Sequence, residues 1–190
     1  MVRDTVSSTA SWSWTAAYSK WEAYTGKPAA VAESNITLLK DLFGPVLVDP
    51  QGRNVNVEDV LGNGKYVGIY VGASWASSCA PFCAELKRGY EKVNERSMLP
   101  TFEVVYVSAD KTQEEFDAYM RDAPWLAVPF TELKMRKKVM TIYAAATLPK
   151  FVLLSPSGKV LTDDNAWPKV DQTGASFPWT GPSDSLCVVQ

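Results

Sequence analysis

YVGASWASSCAPFC, residues 70 to 83, is where a strand pattern gives way to a helical one. The apolar run from Tyr66 to Val71 is rich in the β-branched and aromatic side chains that suit a buried strand. From Ser77 or Ser78 onward, Phe82, Cys83, Leu86, Tyr90 and Val93 recur at helix spacing. The spacing predicts a strand, a short turn through Gly72 to Trp75, and a helix running to about Arg96. The residues that open this helix are Trp75, Ala76, Ser77, Ser78 and Cys79. Unpaired N–H groups and the positive end of the helix dipole stabilise an anion at such a place, including a thiolate.

Working outward, Leu38 to Phe43 reads as a short apolar element. Val46-Leu47-Val48 and Asn54-Val55, either side of Asp49-Pro50-Gln51-Gly52, read as a β-hairpin. Val57 to Leu61 makes one helical turn, closed by Gly62-Asn63-Gly64. Phe102 to Val107 is a second buried strand. After it, Thr112 reads as the N-cap of a helix with Glu114 and Glu115 in its first turn. Glu132 to about Ala145 reads as a further helix, with Lys134, Arg136, Lys137 and Lys138 on a solvated basic face. Phe151–Ser155 and Lys159–Thr162 form a hairpin around Pro156-Ser157-Gly158. Strands alternating with helices, then a closing hairpin, indicate an α/β sandwich with a central mixed sheet flanked by helices and an N-terminal hairpin extension.

Three segments are expected. Residues 1–34 form a flexible or partly helical extension, Ser/Thr/Ala-rich but carrying Trp12, Trp14, Tyr18, Trp21 and Tyr24, with a short helix over Thr15–Tyr24. Residues 35–179 form the domain. Residues 180–190 form a flexible tail.

Composition narrows the chemistry. A chain of 190 residues, 46% apolar and 21% charged, is ordinary for a globular protein, and a net charge of −2 gives no reason to expect nucleic acid as a partner. Histidine is absent altogether. His-based triads and most zinc sites are therefore excluded, and neither metal nor cofactor is expected. Three cysteines, Cys79, Cys83 and Cys187, are too few for a disulfide scaffold and suit a reducing, cytoplasmic compartment. Asn35-Ile36-Thr37 matches the glycosylation pattern, but the N-terminus lacks the apolar core of a secretory signal, so the pattern is not expected to be used.

Ala73-Ser74-Trp75-Ala76-Ser77-Ser78-Cys79 resembles the ASWCPPC active-site segment of the tryparedoxin and nucleoredoxin branch of the thioredoxin superfamily. Other segments resemble that branch in the same order: Ser108-Ala109-Asp110 with the helix behind it, the PWLAVPF run from Pro124, Thr147-Leu148-Pro149, and Phe177-Pro178-Trp179. The aromatic at Tyr70 also fits. The resemblance spans roughly Leu38 to Trp179 and implies a thioredoxin-like fold and thiol-disulfide exchange. A dithiol reductant such as trypanothione and client disulfide proteins would be its partners. It places Cys79 at the resolving cysteine and Ala76 at the position of the nucleophile, where a methyl group cannot attack a disulfide. It further implies a cis bond before Pro149 and a substrate groove formed by Trp75, Ser77, Ser78, Trp125, Leu148 and Pro149. Ser77-Ser78 and Ala80-Pro81 depart from the family pattern.

By their residue types alone, Ser77 and Ser78 have no base to activate them and read as helix caps. Cys83 reads as a buried small hydrophobe beside Phe82 and Leu86. Cys79 reads as a lone thiol partly activated by the helix dipole, whereas the resemblance implies a shielded, weakly reactive one. Trp75 and Trp125 are core aromatics or a platform. Cys187-Val188-Val189-Gln190 matches a prenylation box, the terminal Gln favouring farnesyl; a frayed terminus is the other reading. One lipid chain without a polybasic stretch would give only reversible membrane association. Two functions follow: a tryparedoxin-like oxidoreductase disarmed at Ala76, or a redox-inactive adaptor that binds through the groove and is tethered by Cys187.

Overall fold

A computed structural model describes residues 29–62, 64–97, 101–164 and 172–179. The aromatic N-terminal segment with its expected helix at 15–24, and Cys187 with its tail, lie outside the described residues. None of the described helices is long and apolar enough to cross a membrane.

Among the described residues twelve elements follow in order: α1 (Ala29–Phe43), β1 (Val46–Val48), β2 (Asn54–Asn56), α2 (Val57–Leu61), β3 (Tyr66–Gly72), α3 (Cys79–Glu95), β4 (Phe102–Ser108), α4 (Gln113–Met120), β5 (Leu126–Ala127), α5 (Leu133–Ile142), β6 (Lys150–Leu154) and β7 (Val160–Asp164). The strands make one seven-stranded sheet in the order β2-β1-β5-β4-β3-β6-β7. β3 runs parallel to β4 in full register from Tyr66↔Phe102 to Gly72↔Ser108, and antiparallel to β6. The sheet is therefore mixed, as the alternation of elements requires, and each terminal pair of strands is a hairpin.

Strand side chains alternate between faces, and the core divides accordingly. Val67, Ile69, Val71, Val105, Val107, Val152 and Leu154 face α1, α2 and α5, where Leu39, Leu42, Phe43, Val60 and Val139 complete an aliphatic core. Tyr70, Phe102, Val104, Tyr106, Phe151 and Leu153 face α3 and α4, where Phe82, Leu86, Tyr90, Phe116 and Trp125 make the second core largely aromatic. Gly68 makes room for this: a Cβ there would stand 2.8 Å from the Phe151 ring and 3.0 Å from that of Phe102. The Phe177–Trp179 segment closes the aromatic side. Trp179 meets Phe102 at 5.5 Å and Phe151 at 6.4 Å between ring centroids, and Thr162 Oγ1 donates to its carbonyl.

Several expectations need correction. The first helix begins at Ala29 rather than at Leu38, so it extends across residue 34. The β-branched Ile36-Thr37 pair hides this continuity, but Leu39, Leu42 and Phe43 dock the helix onto the aliphatic core, and packing overrides local propensity. Asn35 is buried, with Nδ2 donating to the Pro156 carbonyl at 2.7 Å, so it is out of reach of glycosylation. The basic run on α5 is not uniformly solvated. Lys134 and Lys137 are exposed, whereas Arg136 is buried. By contrast, Thr112 caps α4 with a full capping box: its hydroxyl accepts from Glu115 N while the Glu115 carboxylate accepts from Thr112 N.

Candidate functional site

Strand β3 ends at Gly72, and after six intervening residues α3 begins at Cys79. Between them lies a tight turn, Ala76 N donating to Ala73 O at 3.3 Å, followed at once by Cys79 N donating to Ala76 O at 2.9 Å. The turn pushes Trp75 outward: it is 54% exposed, the most exposed of the large apolar side chains among the described residues, with Lys111 Nζ 5.7 Å from its ring. Ala76 is half-buried, Ser77 and Ser78 are exposed, and Cys79 drops beneath them at 2% exposure.

The expected capping role of the serines is not made at Ser78. Ser78 occupies the N-cap position, yet its own backbone is already helical (φ −73°, ψ −19°), and its hydroxyl makes no cap bond. An N-cap side chain reaches the N–H groups ahead of it from an extended backbone, and that geometry is absent here. The hydroxyl instead donates across the fold to the Leu148 carbonyl at 2.8 Å. The Leu148–Pro149 peptide bond is cis. The Ser78 hydrogen bond holds the loop that precedes β6 against the start of α3.

Trp125 is not at the surface. Its side chain is fully buried, its ring set edge-on to Tyr70 at 6.2 Å and to Tyr90 at 6.1 Å. It lies just ahead of β5 and packs beneath α3, so the exposed platform is Trp75 alone.

Below the surface the site rests on tyrosines. Tyr106 and Tyr119 stack at 4.2 Å, and Tyr70 meets Phe82 at 5.2 Å. Tyr70 OH points at the Cys79 carbonyl at 3.5 Å, and its phenol is held well above the usual range, chiefly by burial and then by the neighbouring Cys79. Cys83 is half-buried rather than a plain core thiol: Tyr119 OH donates to its Sγ at 3.1 Å. Burial pushes the Cys83 thiol up, opposed by that hydrogen bond and by Lys87. A raised thiol is a poorer nucleophile at neutral pH, because less of it is thiolate.

The sequence reading overlooked how the turn is held. Asp110 Oδ1 accepts from Ser74 N at 2.6 Å, while Oδ2 accepts from Ser108 Oγ at 2.7 Å and lies 3.1 Å from Tyr106 OH. Arg136, buried on α5, donates from Nη1 to the Ser108 carbonyl at 3.1 Å. Two signals pointed there: an Asp just past the end of β4, and an Arg spaced with the apolar residues of α5.

Among the described residues the arrangement offers a helix N-terminus, one exposed aromatic ring and a loop bonded to Ser78, with the Cys79 thiol buried and the Cys83 thiol half-buried. Among the described residues no group of three potential ligands could hold a metal ion.

Comparison with known proteins agrees with this geometry. A family model described as thioredoxin-like matches residues 63–160. Human nucleoredoxin is 32% identical over 140 residues, covering 72% of this chain and 32% of its own length, so the chain spans about a third of that relative. Native tryparedoxin I from Crithidia fasciculata is 31% identical with a TM-score of 0.66, covering 75% of this chain and 98% of that one. A tryparedoxin II solved in complex with glutathionylspermidine is 28% identical with a TM-score of 0.66, covering 75% and 99% respectively.

Proposed function

The chain belongs to the thioredoxin-like oxidoreductase family, in the branch of the nucleoredoxins and tryparedoxins, and from that premise we propose that it is a disulfide-reductase scaffold whose attacking sulfur has been replaced at Ala76, leaving a site that binds but does not reduce. One observation carries this reading: the half-buried methyl of Ala76 stands at the turn where α3 begins, with the thiol of Cys79 shielded beneath it. In a dithiol reductase of this kind, a thiolate at position 76 attacks a client disulfide and expels one client thiolate. The Cys79 thiolate then attacks the sulfur at 76, releasing the second client thiol and leaving an intramolecular disulfide. A dithiol reductant restores both thiols and leaves as its own disulfide. Without the first sulfur neither attack has a starting point.

A thiol of the trypanothione class is the proposed reductant, supported by the glutathionylspermidine complex of the related tryparedoxin II. The test is disulfide-reductase activity with such a dithiol, on the chain as it stands and on Ala76→Cys. Activity in the variant alone is expected. Activity in the unaltered chain would show that another thiol carries the reaction.

A second reading, an adaptor that holds a partner without chemistry, is favoured by the exposure of Trp75 at the turn that opens α3. Inactivity of both proteins would leave that reading in place. Thiol labelling in a Cys83→Ala, Cys187→Ala background separates the two further: protection of Cys79 until denaturation supports binding, and rapid labelling supports residual chemistry.

A further inference from the structure

The turn that carries Ala76 is held from one carboxylate. Asp110 is 5% exposed, and every bond to it comes from the site end of β3 and β4. Its shortest contact, 2.6 Å, is to the N–H of Ser74, the second residue of the turn from Ala73 to Ala76. A charged acceptor on a backbone N–H at this distance is a strong, directional bond. The other ties act one step earlier in the chain: Ala109 N donates to Gly72 O at 2.8 Å, and Tyr106 OH lies 3.1 Å from the same carbonyl. Within the turn the remaining backbone bond is the longer closure at 3.3 Å. The direction in which position 76 points therefore depends on Asp110.

Asp110 is itself set in place. Ser108 Oγ accepts from Asp110 N at 2.9 Å and donates back to Oδ2, which fixes the carboxylate relative to its own backbone. Arg136 arrives from α5 with its guanidinium 4.0 Å from the Phe130 ring and bonds the Ser108 carbonyl, close enough for its charge to act on Asp110. A buried carboxylate held by hydrogen bonds on both oxygens, with a cation behind it, keeps one orientation.

We infer that Asp110 is a positioning residue for the reacting group at position 76, and that Arg136 is the clamp that keeps Asp110 aimed at the Ser74 N–H. This rests on the reductase reading above. It assigns to α5, a helix that supplies no group to the exposed surface of the site, control over where a sulfur at position 76 would stand.

Two measurements test it. The first, on the chain as it stands, is amide hydrogen exchange at Ser74. Asp110→Ala should speed exchange there about tenfold or more, while Asp110→Asn, which keeps an acceptor at Oδ1, should change it little. The second is reductase kinetics in the Ala76→Cys background. Asp110→Ala should lower kcat about 10- to 100-fold, the scale of an ångström-sized misplacement, with KM for the dithiol little changed and with Asp110→Asn restoring most of the rate. Should Asp110→Ala fail to fold, Ser74→Pro removes only the donor, at a turn position that suits proline, and should give the same loss. Unchanged Ser74 exchange, or a kcat within about threefold of the parent in Ser74→Pro and Asp110→Ala alike, overturns the inference. If Ala76→Cys is itself inactive while Ser74 exchange still depends on Asp110, the positioning stands and the reductase reading falls.

Discussion

Two buried carboxylates mark opposite ends of the central strand pair, and they are treated differently. At the site end, Asp110 has partners on both oxygens and a guanidinium nearby. At the other end, Glu103 is fully buried; its Oε1 accepts from Val104 N at 3.0 Å and from Tyr90 OH at 3.3 Å, but its Oε2 has no partner among the described residues. Val104 lies beyond the short reach of β5, whose pairing covers only Val105 and Tyr106, so the Glu103 side chain supplies the acceptor that the absent strand would have given. Burial pushes the Glu103 carboxyl up to about 7, opposed by Lys65, by the Val104 N–H and by Tyr90 OH. Burial alone thus does not decide what an acid does. A fully bonded carboxylate orients a loop, and a half-bonded one holds a proton.

The largest effect expected from this contrast is at the site end. Arg136→Met removes the donor to the buried Ser108 carbonyl and the cation near Asp110, which should cost about 3 kcal/mol in chemical denaturation at neutral pH. A loss under about 1 kcal/mol would mean that the hydrogen bonds alone hold Asp110.

The next test is at the opposite end. A carboxyl raised in the folded state binds its proton more tightly folded than unfolded. Its contribution is full below the ordinary carboxyl value of 4.5 and is lost as pH rises through about 7. Glu103→Gln keeps the neutral form at all pH. It should be more stable than the parent by about 1–3 kcal/mol at pH 8 and nearly equal to it at pH 5. Urea titrations at the two pH values measure this, and a variant destabilised equally at both would show that Glu103 is ionised and paired with Lys65.

The smallest effect belongs to the exposed rim. Ser78→Ala removes the bond to the Leu148 carbonyl, an exposed contact that should contribute about 0.5 kcal/mol to stability. Its effect should appear instead as faster amide exchange in the loop around Leu148.

The pattern of legibility follows the same division. Strand alternation and helix spacing predict β3, β4, β6 and α3 closely, because each buries a continuous face and its period is forced. The N-cap at Thr112 is legible because a cap is a local bond between residues three apart, and the structure adds the reciprocal bond to the Glu115 carboxylate. Ser78, Trp125 and Arg136 were not legible from local pattern. Ser78 bonds a residue 70 positions away. Trp125 sits in a loop-like run whose burial comes from α3 above it. Arg136 looked like one more lysine-rich surface residue until its helix was docked beside the end of β4. At the site, the run from Trp75 to Cys79 announces the turn, while Asp110 follows another strand, and Ser108-Ala109-Asp110 marks it in sequence without showing that it bonds Ser74 N, 36 positions away.

The closing segment from Phe177 to Trp179 carries a consequence for how the molecule is made. Everything that walls the aliphatic core has been synthesised once the ribosome passes Leu154. The aromatic core still lacks Trp179 and Phe177, which cover Phe102. At about 5–20 residues per second, the remaining stretch takes on the order of a second or more. The aromatic core therefore depends on chain made well after the last residue of the aliphatic core, and a chain stopped before Phe177 would leave the rings of Phe102 and Phe151 without their cover.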